Sequence, residues 1–146
     1  MFYDTFTPKF DDQGRFLLPA DFRPQLRDGM VITRAPDSEC LEIWPAAKFE
    51  ADMIAATKDM SVRKSREYQQ KIASMGSGKS ADGQGRVTIP PKLREFAGIE
   101  KDITVVGAFN HVEVWDTPKW EEHFAAISSE KKSRKNKKRK DEEPGG

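Results

Sequence analysis

The sequence predicts an α+β protein of two tandem β-rich repeats, which form one intertwined, pseudo-two-fold β-barrel with peripheral helices. The first observation behind this prediction is an internal repeat. "DDQGRFLLPADFR" at 11–23 aligns with "DGQGRVTIPPKLR" at 82–94, and "LEIWPAAKFE" at 41–50 aligns with "VEVWDTPKWE" at 112–121. The offset is 71 throughout and needs no gap, which indicates a tandem duplication. The second observation is the alternation of apolar residues, which predicts strands in both copies.

The strands are predicted from short apolar runs with clear boundaries. Each copy has a proline-bounded strand, "RFLLP" or "RVTIP", after the first motif. In the second copy "PPKLREFAG" predicts a short helical turn that ends near Gly98. "ITVVGAF" then has the composition of a buried strand, and "HVEVW" alternates as a half-buried strand does.

Helices are predicted after the last strand of each copy. Thr117 is a candidate N-cap, with Pro118 at the first helical position. The apolar stripe of this helix consists of Trp120, Phe124 and Ile127. "DMSVRKSREYQQKIA" predicts a second helix before copy two. Because each copy has open strand edges, we expect the copies to pair with each other.

This organisation divides the chain into four segments: a first repeat over 1–60, a linking helix over 61–76, a second repeat over 77–128 and a disordered basic tail over 129–146. Residues 131–140 hold 8 of the 25 basic residues, which leaves 17 basic and 21 acidic residues in 1–130. The body is therefore mildly acidic. The tail is either a solvated segment alone or a source of sequence-independent attraction for phosphates.

Composition predicts a soluble, cytoplasmic protein. Cys40 is the sole cysteine, so no internal disulfide is possible and a reducing compartment is expected. No apolar run approaches the roughly 18 residues of a membrane helix. The start of the chain lacks the basic and apolar layout of a signal peptide.

The stretch "GSGKS" at 76–80 can be interpreted in two ways. With the preceding residues it fits the loose phosphate-loop pattern ending in Lys79-Ser80, which would indicate nucleotide binding. A phosphate loop, however, follows a buried strand and opens a helix. Here the preceding residues look helical and "DGQGRVTIP" follows. We therefore predict a flexible segment that joins the copies, and no nucleotide partner.

A more informative motif is Asp-x-x-Gly-Arg, which occurs once in each copy. Its members are Asp11, Gly14 and Arg15 in the first copy and Asp82, Gly85 and Arg86 in the second. The glycine predicts a positive φ in a tight turn or bulge, and the aspartate is expected to cap that turn. The arginine has two open interpretations. It closes a surface ion pair worth about 0–1 kcal/mol, or it is held outward for a phosphate or a guanine edge.

Other polar residues carry weaker predictions. His111 and His123 have no Cys or His at ligand spacing, so neither a metal nor another cofactor is predicted. Glu42 and Glu113 alternate outward and are predicted to be surface or inter-subunit charges. No Ser–His–Asp or paired-carboxylate arrangement indicates an enzyme.

Two tryptophans end equivalent strands of the two copies. Trp44 and Trp115 are both predicted to be core residues rather than stacking platforms.

Several of these segments together resemble the MraZ family, within the AbrB-like, swapped-hairpin DNA-binding fold. The resemblance rests on the two loops with their following "LLPADFR" and "TIPPKLR", on "REFAGI" at 94–99, on "VVGAFNHVEVWD" at 105–116 and on the start "MFYDTF". It covers roughly residues 1–128. Carried across, the D-x-x-x-R residues of the family fall on Asp11 and Arg15, and on Asp82 and Arg86.

The resemblance implies a bacterial transcriptional regulator of the division and cell-wall gene cluster. It implies a ring-shaped homo-oligomer, associated with the nucleoid, whose paired loops face double-stranded DNA with short direct repeats. A few cationic contacts on an acidic body predict weak binding by one loop pair, and a ring would add on the order of 10²–10⁴ in avidity. The alternative is a structural or protein-interaction ring without specific DNA binding.

The chain departs from the family pattern at two places. Relatives commonly have Lys in the middle of the first loop, whereas this chain has Gln13, matched by Gln84. Gln bonds an adenine edge or a phosphate but carries no charge. "SMGSGKSAD" also stands where relatives usually have a more apolar strand. Lys79 and Ser80 are therefore candidates for additional phosphate contacts.

Overall fold

The computed structural model describes the backbone of residues 1–142 and the side chains of residues 1–130. The strands are β1 (Thr5–Phe6), β2 (Arg15–Leu17), β3 (Met30–Arg34), β4 (Leu41–Pro45), β5 (Gly76–Lys79), β6 (Arg86–Thr88), β7 (Ile103–Gly107) and β8 (Val112–Asp116). The helices are α1 (Ala46–Thr57), α2 (Val62–Ser74), α3 (Pro91–Ala97) and α4 (Thr117–Glu142), with 3-10 turns at Ala20–Phe22 and Pro24–Leu26. Met1–Asp116 forms one unit, and α4 belongs to a second unit that we describe by itself.

The strand order shows that the two repeats are interlocked. Six antiparallel strands form a sheet in the order β1-β7-β8-β4-β3-β5, and β2 pairs with β6 in a separate ribbon. Under the offset of 71, β1 overlaps β5, β3 overlaps β7 and β4 matches β8. Counted from either edge of the sheet, equivalent strands of the two copies therefore follow in the same order. Each outermost strand pairs with a strand of the other copy. This confirms the predicted intertwined, pseudo-two-fold α+β arrangement.

The two sheets share one hydrophobic core. The ribbon and the residues directly after its strands contribute Phe16, Leu18, Val87 and Ile89. The six-stranded sheet contributes Ile32, Leu41, Ile43, Val112 and Val114, among others. Each such apolar side chain stabilises the fold by about 1.5–3 kcal/mol when it is fully buried. The predicted barrel thus takes the form of a ribbon packed against a larger sheet.

The helices begin and end close to the predicted positions. Ser61 caps α2 by accepting the backbone N–H of Lys64 at 3.2 Å. Gly98 ends α3 with a left-handed φ of 65°. Helix α4 begins at Thr117 itself, so the predicted cap lies one residue too late.

Helix α4 continues to Glu142, into the segment for which the sequence predicted a disordered tail. Lys, Arg and Glu are good helix formers, and no Gly or Pro interrupts the run before Pro144. The charge effect expected of 131–140 concerns side chains outside the described residues.

The stretch predicted to be a flexible linker is instead the edge strand β5. It pairs with β3 from Met30 opposite Lys79 to Thr33 opposite Gly76. Backbone hydrogen bonds hold an edge strand, so Gly and Ser are tolerated in it. A Cβ on Gly76 would lie 3.3 Å from the carbonyl oxygen of Ile32, which leaves little space for a side chain.

The order of elements around Lys79 differs from that of a phosphate loop. Helix α2 precedes β5, and strand β6 is the next regular element, whereas a phosphate loop joins a strand to a helix. Among the described residues, none of the helices has the length and apolarity needed to span a membrane.

Candidate nucleic-acid interface

The two arginine loops are the turns that lead into β2 and β6. In the ribbon Arg15 lies opposite Thr88, Phe16 opposite Val87 and Leu17 opposite Arg86. Residues that face each other across a strand pair point to the same side, so Arg15 and Arg86 share one face. Diagonal positions in such a pair are about 7–8 Å apart. Both guanidinium groups therefore belong to one surface.

In the first loop a single carboxylate holds both the turn and the arginine. One oxygen of Asp11 accepts the backbone N–H groups of Gln13 at 3.0 Å and of Arg15 at 2.8 Å. The other oxygen accepts Nε–H of Arg15 at 2.8 Å. Gly14 has a φ of 79°, a left-handed conformation that disfavours a side chain.

The second loop repeats this geometry closely. Asp82 accepts the backbone N–H groups of Gln84 at 2.9 Å and of Arg86 at 2.8 Å, and it accepts Nε–H of Arg86 at 3.0 Å. Gly85 has a φ of 82°. The duplication has thus preserved the turn together with its hydrogen bonds.

Each loop keeps its carboxylate ionised and its arginine accessible. The backbone hydrogen bond from Arg15 holds the pKa of Asp11 below its usual value, and the bond from Arg86 does the same for Asp82. The arginine side chains are 30% and 35% exposed. Within the described residues their side-chain hydrogen bonds use only Nε. The Nη groups are left for a bidentate contact with a phosphate or a guanine edge.

The remaining predicted contact residues occupy two different places. Gln13 and Gln84 lie exposed near the tips of the two loops, beside the arginines. Lys79 lies on β5 of the larger sheet, opposite Met30, and makes no hydrogen bond or ion pair with either loop among the described residues. The structure therefore groups the glutamines with the arginines and leaves Lys79 on another sheet.

Two further arginines support the loops, and each does so from the other repeat. A Cβ on Gly14 would lie 2.8 Å from Cζ of Arg94, and a Cβ on Gly85 would lie 2.9 Å from Cζ of Arg23. Each guanidinium therefore packs directly on a loop glycine. Arg23 is also fixed by donating Nε–H to the carbonyl of Leu18 at 2.9 Å.

The sequence predicted no role for these two arginines, although the internal repeat pairs them with each other. Arg23 and Arg94 are identical under the offset of 71, as the loop residues are. The repeat alone does not show that the support crosses from one copy to the other, because only the pairing of β2 with β6 brings them together.

A second polar cluster lies where β4 and β8 pair, with Glu42 opposite Glu113. Nε2 of His111 is 2.8 Å from a carboxylate oxygen of Glu113 and 3.6 Å from one of Glu42. The two glutamate side chains are 16% and 21% exposed, less than surface charges usually are, and their predicted role as inter-subunit charges stays a prediction. Their central position in the sheet accounts for their partial burial.

The tryptophans of this region differ from each other. Trp115 is buried, as predicted. Trp44 is only half-buried, and its indole stacks on the ring of His111 with centroids 4.7 Å apart, so its assignment to the core is wrong. His111 was predicted to lack ligand partners because its neighbours come from the central strands rather than from adjacent sequence.

The fold and the loops together define a class of protein. It is an internally duplicated, β-rich protein whose swapped repeats present two aspartate-held arginines on one ribbon. The model of the MraZ protein family matches residues 1–73 and 79–143, and the chain belongs to the MraZ family.

Relatives agree with this assignment over most of their length. The transcriptional regulator MraZ of Cutibacterium acnes is 50% identical over 127 residues, which cover 86% of this chain and 89% of the relative. The transcriptional regulator MraZ of Kineococcus radiotolerans is 44% identical over 130 residues, covering 87% of this chain and 89% of the relative. That of Micrococcus luteus is 39% identical over 126 residues, covering 86% and 87%.

Proposed function

We propose that the protein is a non-enzymatic, DNA-binding transcriptional regulator. It binds short direct repeats upstream of its own division and cell-wall operon, in the cytoplasm and on the nucleoid. Several chains assemble into a ring, and each contributes two D-x-x-x-R loops. Membership of a family whose relatives are named transcriptional regulators supports the function class.

The observation that carries the proposal is the pair of clamped arginines on one face of the ribbon. The clamp uses Nε and fixes the plane of each guanidinium, so little side-chain freedom remains to be lost on binding. A good bidentate arginine–guanine contact discriminates against a wrong base by about 1–3 kcal/mol. Gln13 and Gln84 lie where they can reach an adjacent base or phosphate.

The net negative charge of residues 1–130 is the reason why we propose that several chains bind DNA together. Residues 1–130 carry 17 basic and 21 acidic residues, so the body as a whole does not attract DNA. A single loop pair then binds weakly, and linked copies gain on the order of 10²–10⁴ in avidity. Head-to-tail contacts that close into a ring suit direct repeats rather than a palindrome.

Exposed aromatic residues support contact between copies. Tyr3 and Phe109 are 59% and 60% exposed, and their rings lie edge to face with centroids 5.5 Å apart. Exposed apolar groups that lie together are typical of protein contact surfaces.

The deciding experiment removes both loop arginines. We expect the double variant Arg15→Ala/Arg86→Ala to remain folded and assembled but to lose binding to a fragment of its upstream region, as measured by a gel shift at several salt concentrations. Arg63→Ala/Arg66→Ala is the matched control. It removes the same charge from exposed positions of α2 and should bind DNA as the unaltered protein does.

Circular dichroism and native mass spectrometry establish that both variants are intact. If the loop variant shifts the fragment with unchanged affinity, the arginines do not carry DNA binding. If the unaltered protein assembles but gives no salt-sensitive shift of the fragment, the alternative of a structural or protein-interaction ring holds instead.

A further inference from the structure

The cluster of Glu42, His111 and Glu113 lies outside the arginine loops and takes no part in the proposed DNA contact. We propose that these three side chains form a binding site for one Zn²⁺ ion, which links the two repeats at the centre of the large sheet. Glu42 comes from the first copy, on β4, and the other two residues come from the second, at β8 and just before it.

The separations between the ligand atoms suit a small cation. One ligand atom from each residue lies within 4.8 Å of the other two. Tetrahedral zinc with bonds of about 2.0–2.1 Å to nitrogen and oxygen needs ligand atoms roughly 3.3 Å apart. Nε2 of His111 is 3.6 Å from Oε2 of Glu42 and 2.8 Å from Oε2 of Glu113. Shifts of about half an ångström therefore bring both nitrogen–oxygen separations to the value that zinc needs.

Neighbouring groups already orient all three ligands. The indole of Trp44 donates to Oε1 of Glu42 at 3.0 Å, and the indole of Trp115 donates to Oε1 of Glu113 at 2.9 Å. In both carboxylates it is therefore Oε2 that faces the imidazole. Such supporting hydrogen bonds are typical of metal sites, where they fix each ligand and strengthen it.

The imidazole is arranged in the same manner. Nδ1 of His111 is 2.8 Å from Oδ1 of Asn110, an acceptor, and Nε2 is 2.8 Å from a carboxylate oxygen of Glu113. Nδ1 can therefore donate to Asn110, while a metal would take the place of the proton between Nε2 and the carboxylate. The ring is held in its plane by stacking on Trp44. A metal bound at Nε2 requires a proton on Nδ1, and the oxygen of Asn110 is placed to accept it.

The site is sheltered but accessible. The side chains of Glu42, His111 and Glu113 are 16%, 15% and 21% exposed. Glu42 and Trp44 also line a cavity of about 870 Å³ within Met1–Asp116, so one of the three ligands borders an open space. The lining of this cavity holds four acidic residues and two basic ones, a balance that favours the approach of a cation: Asp37, Glu39, Glu42 and Asp52 against Arg34 and Lys71.

The chemistry of the ligands favours zinc over the hard cations. One imidazole nitrogen with two carboxylate oxygens suits Zn²⁺, whereas Ca²⁺ and Mg²⁺ prefer all-oxygen sites. Cys40 occupies the position equivalent to His111 under the offset of 71. Its sulfur lies 4.0 Å from Oε1 of Glu113, the oxygen that faces Trp115. The proposed zinc ligand is the other oxygen, Oε2, so Cys40 is not one of the three ligands.

Equilibrium dialysis of the full chain against Zn²⁺, followed by elemental analysis, tests the proposal. We expect one ion per chain for the unaltered protein. Glu42→Gln and His111→Ala each remove a ligand and should weaken the site by at least about 100-fold, more than the loss of a supporting residue does. His123→Ala is the matched control, because it removes the other histidine of the chain and should bind one ion normally.

Thermal unfolding gives a second readout. Zn²⁺ should raise the Tm of the unaltered protein and of His123→Ala but not that of Glu42→Gln, whose side chain keeps its size. The proposal is overturned if the unaltered protein retains no stoichiometric zinc, or if Glu42→Gln retains it as tightly. Neither result bears on DNA binding, so the two proposals fail separately.

Discussion

At each arginine loop one aspartate accepts three hydrogen bonds and holds both the backbone turn and the arginine side chain. Asp11 accepts two backbone N–H groups and one guanidinium N–H, and Asp82 does the same in the second copy. The turn and the direction of the arginine therefore depend on one ionised group. A neutral amide at this position would keep an acceptor for the backbone but would lose the ion pair.

This dependence predicts a pH effect with a definite sign. Folding lowers the pKa of both aspartates below the usual 3.8, so their contribution to stability is complete above that value and is lost as the pH falls through the lowered pKa. We expect Asp11→Asn/Asp82→Asn to be less stable than the unaltered protein at neutral pH. The difference should shrink as the pH is lowered below about 4.

Urea unfolding at a series of pH values measures this difference. Asp12→Asn is the control, because Asp12 adjoins Asp11 but accepts no hydrogen bond among the described residues. Its stability should follow that of the unaltered protein at every pH. A gap between the double variant and the unaltered protein that stays constant down to pH 2 would contradict the role of the carboxylates.

The sequence predicted these loops well and the His111 cluster poorly, for one physical reason. The hydrogen bonds of each loop join residues within four positions of each other, so the motif contains its own partners. The partners of His111 include Glu42, which only the pairing of β4 with β8 brings near. Contacts that depend on the register of distant strands are not visible in local sequence.

Among the secondary-structure elements, β7 lies in close backbone contact with the segment that leads into the exchanged edge strand β1. The N–H of Gly107 on β7 donates to the carbonyl of Asp4 at 2.7 Å. A Cβ on Gly107 would come within 2.6 Å of the carbonyl carbon of Phe2 and would also collide with the backbone of Tyr3. Backbone atoms, unlike the end of a long side chain, cannot rotate out of the way.

We therefore predict that Gly107→Ala destabilises the protein by about 1–3 kcal/mol, the usual cost of forcing extra atoms into a packed site. Gly78→Ala on the outermost strand β5 is the control, since nothing lies within 4 Å of its Cβ. Its free energy of unfolding in urea should change by no more than about 0.5 kcal/mol. Equal effects of the two substitutions would contradict the close approach at Gly107.

The elements also show where pattern reasoning fails. β2 and β6 alternate buried and exposed residues, and their apolar runs predicted them. β5 reads "GSGK" and has no such alternation, because it is held by its backbone pairing with β3. A hydrophobic pattern reveals a strand only when its side chains are buried in the core. It therefore cannot reveal a strand such as β5, which is held by backbone hydrogen bonds.

For the whole molecule, the proposed ring predicts a dependence on the number of DNA repeats. A fragment with one repeat engages one loop pair, whereas several repeats engage several chains at once. Affinity should then rise by about 10²–10⁴. Fluorescence anisotropy with fragments of equal length, in which scrambled repeats replace native ones, measures this gain. If affinity does not depend on repeat number, the loops do not act together.

The crossing of Arg94 under Gly14 and of Arg23 under Gly85 has a consequence for how the two halves change over time. After a duplication, one half is ordinarily free to diverge while the other keeps the original task. Here each half contributes an arginine that packs against the loop of the other half. Replacing that arginine therefore changes the support of the loop in the opposite half. Selection for contact at either loop therefore acts on both halves, which ties their histories together.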